Sequence, residues 1–168
     1  MEETTAPKRK SRSRQSAASA PLVNEYGHLQ PQALELEVAV LGALMVDSDA
    51  IGRLGGMLKP ESFYDKRHQL IFDAIREMDL HDRPIDILTV TDYLRRRGTL
   101  EEVGGPFYVT ELTSRVVSSV NIEYHARIIA QKFLARELIT FTSNIQTKAF
   151  DEMQDVDDLM QEAEGKLF

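Results

Sequence analysis

The hydrophobic pattern of the first half of the chain predicts a series of short helices. The apolar positions that share one face of the first helix are Leu34, Val38, Leu41 and Met45. Their intervals of four, three and four match the helical repeat. Because Glu37 is the only acid between Leu36 and Val46, this helix is apolar on more than one side. Such a helix is expected to lie at the centre of a core.

The same repeat, together with residues typical of helix ends, predicts further elements before residue 119. The expected elements are a helix over 50–58, one turn starting at Pro60, a helix over 66–79, a helix capped by Asp86 that ends at Arg97, and a helix over 107–116. No alternation of apolar and polar residues is long enough to predict a strand. The best candidate run, 85–90, alternates poorly and contains the helix cap Asp86.

The longest predicted helix runs from a cap at Asn121 to about residue 150, or roughly 45 Å at 1.5 Å per residue. One face of its first half carries Ile122, Ile129 and Phe133, and a second face carries Tyr124, Ile128 and Ala135. Its second half carries a single apolar stripe that consists of Leu138, Phe141, Ile145 and Ala149, with Ile139 beside it. A final helix capped by Asp155 completes an αα-hairpin. We expect the first half to pack on the body and the stripe to bury itself against something else.

These patterns predict an all-α fold, with a small globular helical head followed by a protruding α-helical hairpin. Residues 1–31 are poor in large apolar side chains and are interpreted as a disordered basic tail. The head is expected over 32–118 and the hairpin over 119–168. The alternative is that the hairpin folds back on its own body. The sequence ends within the apolar pattern of the last helix, which is typical of a truncated chain.

Composition and charge narrow the classes of function. The 168 residues are 42% hydrophobic and include no cysteine, so thiolate metal sites, disulfides and a cysteine nucleophile are excluded and an intracellular location is expected. Residues 1–31 carry a net charge of +2, which leaves −9 on the rest of the chain. An acidic body does not favour duplex DNA, whereas the basic run from Lys8 to Arg14 could contact phosphate. No apolar run is long enough for a membrane helix, and no secretory signal is recognisable.

Candidate catalytic and metal-binding residues are scarce. The chain has no P-loop and no GxGxxG pattern. The histidines show no metal-ligand spacing, and His68 is expected at the margin of the core. Glu35 and Glu37 are interpreted as surface or cap groups. The basic cluster 95–97 is expected to be a solvated helix end, because cations suit the C-terminal end of the helix dipole.

Five segments of the chain carry a family resemblance. They are LELEVAVLGALMVDSDAI (34–51), FYDKRHQLIFDAI (63–75), PIDILTVTDYLRRRGTLEEVGGPFYVTELTS (84–114), NIEYHARIIAQKFLARELI (121–139) and LMQEAEGKLF (159–168). In order and spacing they resemble the N-terminal domain of bacterial replicative DNA helicases of the DnaB type. The resemblance covers residues 32–168 and leaves the basic tail outside it.

The resemblance implies a role in DNA replication within the primosome. In the family, hairpins pair and six N-terminal domains form a collar described as a trimer of dimers. The ATPase motor, which uses ATP and Mg, lies beyond a linker that continues from the last helix. This chain would then be a non-catalytic domain without a cofactor, taken from a cytoplasmic, nucleoid-associated bacterial helicase.

The resemblance also implies partners. The family's collar docks the C-terminal helicase-binding domain of primase, and the matching positions here are Tyr108, Ile139 and Ile145. The alternative is that these three side chains pack within the head or the hairpin dimer. A helicase loader is a further partner that the family admits. DNA would be bound by the absent motor domain, or weakly by the tail, and no membrane is involved. The alternative function is a DNA-binding module that acts through the basic N-terminal tail.

Overall fold

The computed structural model describes residues 27–116 and 118–167, and every regular element in these ranges is a helix. The elements are α1 (Leu34–Val46), α2 (Ala50–Leu54), a 3-10 turn (Pro60–Ser62), α3 (Lys66–Leu80), α4 (Ile87–Arg97), α5 (Gly105–Ser114), α6 (Ile122–Ala149) and α7 (Val156–Leu167). The predicted all-α class, a helical head followed by a hairpin, is confirmed. The basic run from Lys8 to Arg14 lies outside the described residues.

Two of the predicted helix caps are present with their hydrogen bonds. The Asp86 carboxylate accepts from the backbone N–H groups of Leu88 at 2.8 Å and Thr89 at 2.9 Å. The Asp155 carboxylate accepts from the N–H group of Asp157 at 2.8 Å. These bonds satisfy N–H groups that have no partner within the first helical turn. Gly98 then ends α4 in a left-handed conformation, with φ of 76°.

Several other predicted helix ends differ from the structure, including both ends of the helix expected over 107–116, which spans Gly105–Ser114. The helix expected over 50–58 ends at Leu54, because Gly55 and Gly56 adopt positive φ angles of 54° and 76° that leave the helical conformation. Asn121 precedes α6 as predicted, but its side chain makes no capping hydrogen bond. Its ψ of 15° departs from the extended backbone typical of such a cap.

Helix α1 forms the centre of the head, as its apolar pattern predicts. All six residues from Val40 to Met45 are buried, and α1 packs against both α5 and α6. Gly42 allows the close approach to α5, since a Cβ atom there would overlap the backbone carbonyl oxygen of Leu112 and the side chain of Val116. Much of the rest of the core comes from α3, α4 and α5, chiefly Ile71, Ile75, Leu94, Val109 and Leu112.

Helix α6 packs on the head through one face of its first half. Ile122, Ala126 and Ile129 are buried there. The second apolar face does not pack in the same way, because Tyr124 remains 64% exposed. Arg136 fastens the helix to the head by donating to the carbonyl oxygens of Pro31 at 2.7 Å and Ser62 at 2.8 Å.

Helix α7 returns along α6 to form the hairpin. Leu159 is buried between the elements, and Lys148 of α6 donates to both carboxylate oxygens of Glu162 at 2.7 and 2.6 Å. None of the helices in the described ranges combines the length and the apolar character that a bilayer crossing requires.

Candidate functional site

Tyr108, a residue singled out from the sequence, lines a surface pocket of about 240 Å³ between α1, α3 and α5. We call it the Tyr108 pocket. Its apolar lining is provided by Leu34, Val38 and Leu112, and its polar lining, apart from Tyr108, by Glu35, Asp65, Arg67, His68, Glu111 and Arg115. A pocket that combines apolar surface, a half-buried tyrosine and arginine has the composition typical of a protein-interaction site.

A chain of hydrogen bonds runs inward from this pocket. The Tyr108 hydroxyl lies 2.7 Å from His68 Nε2, and His68 Nδ1 lies 2.6 Å from the Glu37 Oε2 atom. Both His68 and Glu37 are only 1% exposed. The expectations of a surface Glu37 and of His68 at the core margin were therefore wrong.

Helix packing explains how these polar groups are buried without losing their partners. Glu37 points from the first turn of α1 toward the residues that precede α3. There it accepts from the backbone N–H groups of Tyr64 at 2.7 Å and Asp65 at 3.4 Å. A buried carboxylate is tolerated only with such partners. The sequence signal for a buried carboxylate was the single acid within the apolar run 36–46. That run does not identify His68 as the partner of Glu37.

The charged residues around Tyr108 are held in pairs. The Arg67 guanidinium lies 4.2 Å from the centre of the Tyr108 ring. It also donates to Asp65, with Nη2 2.6 Å from Oδ2. Burial opposes ionisation of Asp65, but the side-chain and backbone hydrogen bonds from Arg67 outweigh it and lower the pKa of this carboxyl. Arg67 and Asp65 therefore remain an ion pair against the ring.

The phenol of Tyr108 is kept in its neutral form. Burial raises the pKa of Tyr108, and the nearby Arg67 charge offsets part of this effect. The neutral hydroxyl has one hydrogen to donate, and His68 is within hydrogen-bond distance of it. The pocket wall therefore presents a neutral tyrosine, and its hydroxyl has a hydrogen-bond partner inside the head.

The residues singled out on the hairpin lie apart from this pocket, on the distal half of α6. Ile139, Ile145 and Phe141 are half-buried, Leu138 is 50% exposed and Ala149 is exposed. The Tyr108 pocket includes none of them. The structure thus presents two separate surfaces, one on the head and one on the hairpin.

The hairpin also exposes apolar residues that sequence reasoning did not single out. Phe150 is 81% exposed and Met153 is 92% exposed, and both lie at the turn between α6 and α7. They fall outside the helical repeat, which is why the stripe pattern gave no signal for them. They extend the exposed apolar surface to the tip of the hairpin.

The basic cluster at the end of α4, residues 95–97, forms ion pairs with acidic side chains. Arg96 pairs with Asp92 at 2.8 Å, and Arg97 pairs with Asp73 at 2.8 Å. Arg95 and Arg96 remain largely exposed, as expected of a solvated helix end. Over the ranges that the structure describes, no three His, Asp or Glu side chains form a group that could hold a metal ion.

Comparison of this sequence with known proteins identifies a matching family and several relatives. The family described as DnaB-like helicase N terminal domain has a sequence model that matches residues 29–131. Replicative DNA helicase DnaB of Rhodothermus marinus is 47% identical over 147 residues, which are 88% of this chain and 16% of that protein. The Geobacillus stearothermophilus protein of the same name is 37% identical over 139 residues, 83% of this chain and 31% of that one. This chain thus spans less than a third of either relative.

Comparison with solved structures gives the same result as comparison of the sequences. The crystal structure of the N-terminal domain of DnaB helicase from Mycobacterium tuberculosis has a TM-score of 0.76 and 32% identity, and the match covers 82% of this chain and 97% of that chain. A DnaB-like replicative helicase, described together with its interactions with primase, has a TM-score of 0.62 and 24% identity, with 78% of this chain and 31% of that chain covered. At that identity the second likeness supports the fold alone.

Proposed function

Since this chain belongs to the DnaB-like helicase N-terminal domain family, we propose that it is the non-catalytic collar domain of a hexameric replicative helicase and that it docks primase. The parent protein would unwind DNA with ATP and Mg in a motor domain outside this chain. This domain, over about 32–168, would assemble the ring and receive the C-terminal helicase-binding domain of primase in the bacterial cytoplasm. A helicase loader is a further proposed partner.

One observation carries the docking proposal, the half-buried Tyr108 on the wall of the Tyr108 pocket. Tyrosine and arginine are the side chains that most often dominate binding energy at protein interfaces. Here the Arg67 guanidinium packs against the Tyr108 ring, and apolar side chains from α1 and α5 line the same pocket. A helix or loop of primase that enters this pocket would desolvate all of these groups together.

The distal hairpin supports the second half of the proposal, in which Ile139 and Ile145 contribute to docking or to pairing with a second copy. Both are only half-buried, and Leu138 of the predicted stripe is 50% exposed. An apolar stripe left without cover on a helical hairpin is a surface for another helix. We assign both roles to this stripe, with primase docking at Ile139 and Ile145 and pairing with a second copy that also involves Leu138, Phe141 and Ala149.

Calorimetry with the primase C-terminal domain tests the pocket. We expect Tyr108→Ala to weaken binding by more than about tenfold, which is the loss typical of an interface hot spot. Tyr124→Ala is the matched control, because Tyr124 is an exposed tyrosine on α6 that does not line the Tyr108 pocket. Equal affinities for the two variants would contradict docking at the pocket.

Light scattering tests the hairpin stripe. Ile145→Asp places a charge on it, and we expect loss of self-association, of primase affinity, or of both, with the head still folded. Gln146→Asp adds the same charge at the next residue, which is already polar and exposed, and should change neither. An Ile145→Asp protein with unchanged mass and unchanged primase affinity would show that the stripe has neither role.

A further inference from the structure

Three polar side chains cross the interior of the head, one from each of α1, α3 and α5. Glu37 and His68 are each 1% exposed, and Tyr108 ends the chain at the pocket. Buried ionisable pairs are often no more stabilising than apolar residues of the same volume. The docking function proposed above involves Tyr108 and leaves Glu37 and His68 without a role.

The backbone determines the direction of these hydrogen bonds. The Tyr64 and Asp65 N–H groups donate to the Glu37 carboxylate at 2.7 and 3.4 Å, so this carboxylate acts as an acceptor. His68 Nδ1 lies 2.6 Å from the same carboxylate, and we therefore assign a hydrogen to Nδ1. An imidazole that carries its hydrogen on Nδ1 alone accepts at Nε2, and we therefore assign the Tyr108 hydroxyl, 2.7 Å away, as the donor.

Tyr108 is held from three sides. Its hydroxyl is bonded to His68, and its ring is covered by Arg67, which Asp65 holds through Nε at 3.1 Å and Nη2 at 2.6 Å. At the other end, a Cβ atom on Gly104 would lie 3.0 Å from the Tyr108 Cβ atom, so that the backbone approaches closely there. An anchor fixed before binding loses little side-chain freedom when a partner arrives.

We propose that Glu37 and His68 are positioning residues for docking, which hold the Tyr108 ring in the orientation that the partner binds and so set the affinity of the pocket. The inference rests on the proposed docking of primase and extends that site inward to two residues that are each only 1% exposed. His68 lies at the inner wall of the pocket, and Glu37 lies behind it. The hydrogen-bond chain from Glu37 through His68 reaches Tyr108 at its hydroxyl oxygen. If they only stabilised the fold, their loss would weaken docking whether or not residue 108 carries a hydroxyl.

The substitution Glu37→Gln separates these roles because it preserves the side-chain shape. The glutamine carbonyl oxygen still accepts from Tyr64. The amide NH₂ takes the Oε2 position, where it faces His68 and no longer accepts the 3.4 Å bond from Asp65. Nδ1 must become the acceptor and Nε2 the donor, which reverses the hydrogen bond to Tyr108. Nitrogen-15 chemical shifts of the imidazole report this directly. We expect hydrogen on Nδ1 of His68 in the wild-type chain and on Nε2 in the variant.

Binding of the primase C-terminal domain is then measured for the wild type, Glu37→Gln, Tyr108→Phe and the double variant. We expect each single change to lower affinity about tenfold, and the double variant to bind no more weakly than Tyr108→Phe alone, as coupled residues do. Full affinity of Glu37→Gln, or an equal loss with and without the Tyr108 hydroxyl, would overturn the proposal. Thermal unfolding of each variant identifies the temperature at which all are folded.

The remaining outcomes of the experiment also support or overturn the positioning role. If Glu37→Gln does not fold, the affinity of Tyr108→Phe and the imidazole spectrum of the wild-type chain test the positioning role instead. Unchanged affinity of Tyr108→Phe, or hydrogen on Nε2 of wild-type His68, overturns the positioning role while docking itself stands. A wild-type chain that does not bind primase overturns the docking proposal and this inference with it.

Discussion

The head and the distal hairpin are both helical and rich in apolar residues, yet the head buries many of them, whereas Leu159 is the one buried residue that the structure describes beyond residue 129. In α1 all six residues from Val40 to Met45 are buried. In α6 the buried residues are Ile122, Ala126 and Ile129, all within its first eight positions, although the helix continues to Ala149. A helix that is apolar along much of its length has thus completed its packing at one end only.

This difference in burial indicates that apolar residues have different roles in the two regions, folding in the head and recognition in the hairpin. Apolar residues of the head stabilise the fold because they are removed from water. Apolar residues of the hairpin, such as Leu138 and Phe150, stay largely exposed and are available to a partner. Substitutions in the head should therefore alter the free energy of unfolding, whereas substitutions in the hairpin should alter association.

The largest expected difference comes from truncating one leucine in each region. Leu41 is fully buried and Leu138 is 50% exposed. We expect Leu41→Ala to lower the free energy of unfolding by about 2–5 kcal/mol, because it leaves a cavity. Leu138→Ala should cost less than about 1 kcal/mol, as surface changes do. Urea unfolding measures both, and equal costs would remove the contrast between the regions.

The junction between the regions depends on Arg136. Burial lowers the pKa of its guanidinium, which nevertheless remains charged and donates to the carbonyl oxygens of Pro31 and Ser62. We expect Arg136→Ala to cost about 1.5–3 kcal/mol, which is the range for hydrogen bonds to charged groups. Arg127→Ala, an exposed change on the same helix, is the control. An Arg136→Ala protein as stable as the control would show that these bonds do not hold α6 to the head.

Glycine-to-alanine substitutions should have opposite signs in the two regions. A Cβ atom on Gly42 would overlap the Leu112 backbone, so Gly42→Ala should destabilise the chain by about 1–3 kcal/mol. Gly165, within α7, has open space around it, and alanine there should stabilise by about 0.5–1 kcal/mol. Thermal unfolding measures the sign of each change, and destabilisation by both would contradict the contrast.

The smallest effect concerns pH and the hairpin. Hydrogen bonds from Lys148 and then Lys166 lower the pKa of Glu162 from 4.5 to about 2. Because the folded pKa lies below the ordinary value, this contribution to stability is complete above pH 4.5 and is lost as pH falls through about 2. Carboxyl carbon-13 shifts follow the titration.

Two lysine variants test the origin of this shift. Lys148→Gln and Lys166→Gln should each raise the pKa of Glu162. Only Lys148→Gln should also increase amide exchange between α6 and α7, because Lys148 joins the two helices whereas Lys166 lies on α7 with Glu162. A Glu162 pKa unaffected by Lys148→Gln would contradict this assignment.

Much of the helical framework was predictable because local chemistry determines it. Asp86 and Asp155 cap helices through their own neighbouring N–H groups, and Gly98 ends α4 in a left-handed conformation. The end of α2 was missed because Gly55 and Gly56 permit, but do not require, the conformation that stops a helix. The length of α6 followed from the absence of Gly and Pro over 122–149.

The Tyr108 pocket was only partly predictable. Tyr108 was singled out through the family resemblance, and Arg67 and His68 were not connected to it. Glu37, His68 and Tyr108 are separated by 31 and 40 positions along the chain. Hydrophobic periodicity reports the face of one helix, whereas this hydrogen-bond chain depends on how three helices meet.

Amide hydrogen exchange of the chain, alone and with the primase C-terminal domain, tests docking most directly. We predict added protection in α5 around Tyr108 and in α6 beyond Arg136, with α2 and α4 unchanged. Protection that appears only on α2 and α4, while α5 and the distal half of α6 exchange as before, would contradict docking at these two surfaces.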